Sequence, residues 1–154
     1  MPGEARPAPA RSRSQRKTDT LEKLHTEVDL WVASASGDGH AYLVPLSYHW
    51  DGSTLTIATP SASPTARNLI RAGWVRAALG QTRDVVIVEG RVEAIPIGAD
   101  PELGDAHARS AGFDPRTLAD EYVYLRIAPQ EIQAWRESNE LDGRVLMRDG
   151  AWFE

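Results

Sequence analysis

The chain has 154 residues, of which 42% are hydrophobic and 25% are charged, and this balance is typical of one soluble domain with a short appended segment. It contains no cysteine, which excludes disulfides, thiolate metal sites, iron–sulfur clusters and cysteine catalysis. No apolar run approaches the ~20 residues of a membrane span, and no secretory signal follows the first charges. These features predict a cytoplasmic protein without a membrane partner.

Charge is unevenly distributed along the chain. Residues 1–20 contain five basic and two acidic side chains, a net charge of +3, whereas the whole chain has a net charge of −5. The remainder is therefore strongly acidic, which argues against a nucleic-acid-binding face on it. Segment 1–18 is rich in Pro, Ala, Arg and Ser and has no hydrophobic periodicity, so we predict a disordered basic tail. Such a tail could touch polyanions, and deletion of residues 1–17 is expected to leave folding unchanged.

The folded domain is predicted to span 19–154 and to begin with a helix. Asp19 and Glu22 have the spacing of a capping box, and Leu24 and Val28 follow at helical spacing.

Six strands are predicted after this helix, most of them joined by tight turns. The dipeptide Asp51-Gly52 between the second and third strands is a strong hairpin signal. Five strands within about seventy residues indicate a closed antiparallel barrel with short helices, a mainly β fold of the α+β type. The predicted strands are 30–36, 41–50, 53–59, 74–80, 84–97 and 121–128.

A short helix is predicted directly after the third strand. Ser63 suits its N-cap, Pro64 its first position and Gly73 its C-terminal exit. Later in the chain, residues 98–120 are predicted to be loop and short helices. Pro129 is predicted to open a helix that ends at Trp135, and the last residues are predicted to form a hairpin that turns at Asp149-Gly150.

Hydroxyl side chains gather where the helix after the third strand begins. A helix start offers unpaired N–H groups to an anion, and Arg67, one turn further, could add a charge-assisted bond to phosphate. The segment therefore predicts either a phosphate cradle or an ordinary helix cap beside a surface arginine. Its hydroxyl residues are Thr59, Ser61, Ser63 and Thr65.

Pro45 interrupts an otherwise regular strand. Proline cannot donate a hydrogen bond to a neighbouring strand, so this stretch is predicted to be an edge, a bulge or a surface against which a planar ligand lies. The four histidines have no metal-ligand spacing, and no metal site is predicted.

The order of these segments, over about residues 20–153, resembles that of the pyridoxamine 5′-phosphate oxidase-like flavoproteins. The resemblance is carried by AYLVPLSYHWDG, STLTIAT, SASPTARNL and AWRESNELDGRVLMRDGAW. It implies a six-stranded antiparallel split β-barrel that forms a homodimer. It also implies that FMN or the deazaflavin coenzyme F420 binds at the subunit interface.

The resemblance also implies where the cofactor binds. The ring would lie along the second strand, the phosphate would bind after the third strand, and the turn before the fifth strand would lie near the ring. The C-terminal Trp and Arg of the true oxidases fall at Trp135 and Arg144 of this chain. The implied cofactor-binding residues are Val44, Pro45, Leu46, Ser47, Thr59, Ser61, Ser63, Thr65, Arg67, Thr82, Arg83, Trp135 and Arg144.

Three family positions differ in this chain. The phosphate-loop lysine falls near Thr65, the basic residue of the second strand near Tyr48, and the Arg-x-His of the true oxidases near Asn139 and Leu141. These differences argue against pyridoxamine phosphate as the substrate.

The implied function is therefore flavin-type hydride transfer to or from another small substrate, with no catalytic residue assigned. Trp135 and Arg144 favour FMN, whereas the small size of the chain favours the deazaflavin, and we rank FMN first. The alternative is a non-catalytic carrier or sensor that binds a flavin or a tetrapyrrole.

Overall fold

The computed structural model describes residues 6–153 and contains eight strands and three α-helices. The strands are β1 (Asp29–Ala35), β2 (Ala41–Trp50), β3 (Leu55–Pro60), β4 (Trp74–Gln81), β5 (Asp84–Pro96), β6 (Tyr122–Trp135), β7 (Val145–Arg148) and β8 (Ala151–Trp152). The helices are α1 (Arg13–Thr26), α2 (Pro64–Ala72) and α3 (Pro101–Ala111), with short 3₁₀ turns at Pro115–Thr117 and Ser138–Glu140.

The first six strands close into an antiparallel barrel. Their order is β3-β2-β1-β4-β5-β6, pairing of β3 with β6 closes the ring, and β7 and β8 extend the sheet beyond β6. Alternate side chains, such as Leu30 and Val32 on β1, point into a core that also receives Leu24 of α1 and Leu69 of α2. The predicted six-stranded split barrel is confirmed.

β2 changes its partner along its length. Residues 41–47 pair with β1, whereas only Tyr48, His49 and Trp50 pair with β3. β3 pairs with β6 along its whole length on its other edge, and no pairing between β2 and β3 occurs before Tyr48. Pro45 lies opposite Trp31 in this stretch, where β1 is the only strand among residues 6–153 that pairs with β2. The prediction of an edge at Pro45 is confirmed.

The predicted helix from Pro129 to Trp135 is wrong, because β6 continues through this segment to Trp135. Gly90 of β5 lies opposite Pro129, whereas Glu89 lies opposite Glu131, so one residue of β6 is inserted as a bulge. Proline has no N–H to donate to the neighbouring strand, and a bulge interrupts the hydrogen-bond ladder at this point, so β6 can continue past Pro129.

The cap and exit of α2 and the turn at Asp149-Gly150 are confirmed, whereas β3 begins at Leu55, so four residues connect β2 and β3 instead of Asp51-Gly52 alone. Ser63 caps α2 by accepting a hydrogen bond from the Ala66 amide, and Gly73 ends the helix with a φ of 68°. Asp149 and Gly150 both have positive φ, which the predicted two-residue hairpin turn between β7 and β8 requires. None of the described helices is long and apolar enough to cross a membrane.

The predicted start of the first helix at Asp19 is wrong. α1 begins at Arg13, and Ser12 caps it by accepting a hydrogen bond from the Gln15 amide at 3.0 Å. The predicted tail boundary at Thr18 therefore falls within this helix. Residues 1–5 of the predicted tail lie outside the described residues.

The beginning of α1 is fixed by two arginines that contact the C-terminal part of the chain. The Arg16 guanidinium is 4% exposed and donates to the carbonyl oxygens of Ala134, Glu140 and Asp142 at 3.3, 2.7 and 3.1 Å. Arg11 donates from Nε and Nη2 to the Glu140 carboxylate at 3.0 and 2.8 Å. These bonds join α1 to the loop between β6 and β7, and we call this set the arginine clamp.

Glu140 is the acidic centre of the clamp. Its side chain is buried and accepts from the Arg11 side chain, the Arg11 amide and the Arg136 amide. The Arg11 guanidinium, ahead of the two amides, lowers the pKa of Glu140 from 4.5 to about 2. A buried charge with this many partners stabilises the fold only while every partner is present.

Deletion of residues 1–17 is therefore expected to destabilise the protein, contrary to the expectation from composition. It removes both arginines of the clamp and leaves Glu140 and three carbonyl oxygens without them. Deletion of residues 1–9 keeps the clamp and is the matched control. Urea unfolding of the two truncations decides the point: equal midpoints would show that the clamp adds nothing to stability.

Acid should weaken the clamp. Because the folded pKa of Glu140 is depressed, its contribution to the free energy of unfolding is complete above about pH 4.5 and is lost as the pH falls toward about 2. We expect Glu140→Gln to lower the free energy of unfolding at pH 7 by about 3 kcal/mol and to flatten its pH dependence across that window. Glu137→Gln, which removes one partner of an exposed ion pair, is the control. If the free energy of unfolding of Glu140→Gln varied with pH in parallel with that of the wild type, Glu140 would not be the titrating group of the clamp.

Candidate cofactor site

A groove lies beside α2, at the start of β2. It has a volume of about 460 Å³ and lies between the β1–β2 hairpin and the helix. His40 and Tyr42 line it from the hairpin side, and Arg67, Asn68 and Arg71 line it from α2. We call this space the α2 groove.

Hydroxyl groups shape the loop that leads into α2. The Ser63 Oγ lies 3.1 Å from the Thr59 Oγ1 and accepts a hydrogen bond from the Ala66 amide at 3.1 Å. The Ser61 hydroxyl donates to the carbonyl oxygen of Glu121 at 3.1 Å. Thr59 and Thr65 are buried. These hydroxyls hold the loop in shape, so a ligand at the loop would contact chiefly its backbone and Arg67.

Arg67 and Arg71 stand one helical turn apart on α2 and give the α2 groove its charge. Neither forms an ion pair with a carboxylate among residues 6–153. Arg71 donates to the carbonyl oxygen of Ala35 and so rests against β1. The Asn68 amide donates to the Ser34 hydroxyl at 3.1 Å, which fixes the rotation of the helix. The Arg67 side chain is exposed and available to an anion.

The four predicted residues on β2 divide between the two faces of the strand. Val44 and Leu46 pack against the core. Pro45 lies on the outer face, where it lines a second groove of about 510 Å³ together with Trp31 and Gln81. Ser47 donates to the Asp29 carboxylate at 2.6 Å beside that groove. Only Pro45 and Ser47 thus present side chains to the outer surface, and a ligand would meet the other two through their backbone.

Thr82 and Arg83 follow Gln81, which lines the same groove as Pro45, whereas Trp135 and Arg144 lie at the far end of β6 from the loop after β3. Arg83, in the β4–β5 turn next to Thr82, pairs with Glu137 at 2.7 Å. The Arg144 guanidinium lies 6.0 Å from the centre of the Trp135 ring.

The length of β6 separates Trp135 from the loop after β3. The loop after β3 borders the start of β6, where Pro60 pairs with Tyr122, whereas Trp135 ends the same 14-residue strand. One chain therefore does not bring Trp135 and Arg144 to the loop at Ser61–Arg67.

The structure adds two features that sequence reasoning did not assign. His40 joins the arginines in the α2 groove, and no sequence pattern pointed to it. His49 Nδ1 lies 2.7 Å from the Ser110 hydroxyl of α3, and burial lowers the pKa of this imidazole. Burial likewise lowers the pKa of His107 to about 4, so both rings are neutral at pH 7. No group of acidic or histidine side chains suited to a metal occurs in residues 6–153.

Comparison with known proteins agrees with this architecture. The pyridoxamine 5′-phosphate oxidase family model matches residues 19–136. The chain therefore belongs to the pyridoxamine 5′-phosphate oxidase-like family of split barrels. No curated protein matches the chain.

Solved structures share the fold at low sequence identity. A heme binding protein from Mycobacterium smegmatis has a TM-score of 0.67 at 13% identity, with 93% of this chain and 60% of that chain covered. An F420 reductase has a TM-score of 0.61 at 17% identity, with coverage of 72% and 93%. An FMN binding protein from Nostoc punctiforme has a TM-score of 0.50 at 14% identity, with coverage of 79% and 78%. These similarities establish a common barrel.

Proposed function

We propose that the protein is a dimeric oxidoreductase that uses a flavin-type cofactor, with FMN favoured over coenzyme F420, on a small substrate in the cytoplasm. The observation that carries the proposal is the α2 groove, where the barrel is split and two arginines have no carboxylate partner among the described residues. Family membership supports a cofactor of this kind, and FMN and F420 occur in the names of two proteins that share the fold.

The cofactor phosphate would bind at the entrance to α2. Arg67 would supply a charge-assisted hydrogen bond, and the amides of the first turn of α2 would add the positive end of the helix dipole. Ser61 and Ser63 would keep the loop in the required shape through the bonds that they already make. Arg67 would thus supply the charge of the family lysine that is replaced by Thr65.

A second copy of the chain would complete the site. The outer face of β2, β1 and β4 exposes large apolar side chains, with Leu43, Trp31 and Trp74 at 60%, 50% and 42% exposure. An apolar surface of this kind is typical of an interface between subunits. Two-fold pairing would bring Trp135 and Arg144 of one subunit to the phosphate loop of the other, which one chain does not achieve by itself.

The residues of the chain would bind and orient the cofactor and exclude water from it. The bound cofactor would supply hydride transfer, which side chains cannot perform. Pro45, which offers no N–H, would leave the free edge of β2 open to a flat ring instead of a strand. Val44 and Leu46 would fix the backbone of that edge by packing in the core.

The second candidate is a carrier or sensor that binds a flavin or a tetrapyrrole without turnover. Its specific support is the fold shared with a heme binding protein over 93% of this chain. Both candidates need a bound cofactor, and turnover separates them.

The test is cofactor titration of the purified protein with FMN, F420 and haem. We expect flavin binding by the wild type, and we expect Arg67→Gln to weaken it by about tenfold or more, because a charged hydrogen bond contributes about 1.5–3 kcal/mol. Arg109→Gln, which removes the same charge from the exposed surface of α3, is the matched control.

The outcomes separate the candidates. Reduction of the bound flavin by a nicotinamide, followed by reoxidation by an added quinone over many turnovers, supports the oxidoreductase. A flavin held without turnover, or haem bound in preference to flavin, supports the carrier. Equal affinities of Arg67→Gln and Arg109→Gln would show that Arg67 does not bind the phosphate.

A further inference from the structure

A third groove lies between the start of α1 and the C-terminal hairpin, away from the α2 groove. It has a volume of about 270 Å³ and includes three arginines in its lining, Arg13 from α1 and Arg144 and Arg148 from the hairpin. Phe153, Gly143 and the aliphatic residues Leu141 and Val145 complete the lining. We call it the hairpin groove.

The arginines of the hairpin groove are held in place by aromatic rings. The Arg13 guanidinium lies 4.9 Å from the centre of the Phe153 ring, and that of Arg148 lies 5.8 Å from the same centre. The Arg144 guanidinium lies over Trp135, and it already donates from Nε to Gln133 at 3.1 Å and from Nη1 to the carbonyl oxygen of Leu141 at 3.2 Å, which leaves mainly its Nη2 for a ligand. Stacking on an aromatic face orients a guanidinium while leaving its N–H groups free to donate.

Among residues 6–153, acidic partners are scarce at this groove. Arg13 and Arg144 form no ion pair with a carboxylate among the described residues, and Arg148 reaches only Glu131, at 3.8 Å. The clamp arginines Arg11 and Arg16 carry the structural contacts between α1 and the hairpin. Three cations gathered in a small groove repel one another, and an anion placed among them removes this repulsion.

We propose that the hairpin groove binds the phosphate or carboxylate group of a small molecule. Arg13, Arg144 and Arg148 would donate to the oxygens of that group, because the planar guanidinium fork fits both anions. The size of the groove suits a small molecule rather than a polymer. Arg144 also stacks on Trp135, which the proposed function places beside the cofactor. The hairpin groove would therefore hold the charged end of the substrate, and only this last step rests on the proposed function.

The test uses pyrophosphate and citrate as probes of the two anion classes, with the full-length protein free of cofactor. Calorimetry at constant ionic strength gives the affinity, and NMR of the arginine Nε–H groups and of the Gly143 amide gives the location. We expect both signals to shift and Arg13→Gln to weaken binding by about tenfold or more. Arg91→Gln, an exposed arginine on β5, is the matched control and should bind as the wild type does.

Three further measurements make the outcome decisive. The Arg67→Gln variant removes charge from the α2 groove, and its Gly143 amide should still shift when the probe is added. Arg148→Gln replaces Arg13→Gln if the latter unfolds, and it should also weaken binding about tenfold. Equal affinity in Arg13→Gln and Arg91→Gln, or shifts confined to Arg67 and Arg71, would overturn the proposal. Neither result depends on whether a flavin binds, so failure here and failure of the proposed function are distinct.

Discussion

The barrel closes because β3 pairs with β6, and the pairing of β2 decides which backbone edge stays free. β3 pairs with β6 along all of one edge, and on its other edge it pairs with only the last three residues of β2. Among residues 6–153, the first seven residues of β2 have β1 as their one paired strand. The first residues of β2 also line the α2 groove together with α2.

A second constraint acts at the other end of the barrel. Arg16 and Glu140 are 4% and 2% exposed and join α1 to the loop that follows Trp135. Removing one member of a buried charged pair costs far more than removing an exposed ion pair. The clamp therefore holds in place the part of the chain that carries Trp135 and the hairpin groove. Residues 11–16 of the basic N-terminal region thus belong to the folded domain.

Local chemistry made part of this structure predictable. The bounds of β2, the Ser63 cap and the turn at Asp149-Gly150 each depend on neighbouring residues and follow from the sequence. The start of α1 carried a readable signal as well, because Ser12 and Gln15 have capping-box spacing. The basic composition of the segment hid this signal, because Glu140 and the backbone carbonyls that hold Arg11 and Arg16 lie more than 100 residues away.

The course of β6 was not readable from local patterns. Pro129 suits a helix start as well as a bulge, and only the pairing with Gly90 of β5 selects the bulge. The grooves likewise depend on the tertiary fold: His40 and Arg67, or Arg13 and Arg148, lie on different elements that come together only when the chain packs. The loop between β3 and α2 could be located from the sequence, whereas its distance from Trp135 required the fold.

The central claim is that one cofactor site takes its phosphate loop from one subunit and Trp135 and Arg144 from the other. Hybrid dimers formed from an Arg67→Gln chain and a Trp135→Ala/Arg144→Gln chain test it most directly. Such a hybrid would contain one site with both defects and one site with none. We predict that mixing two weakly binding homodimers restores tight flavin binding at half a site per subunit in the hybrid. No recovery on mixing, with the hybrid present by native mass spectrometry, would contradict the account.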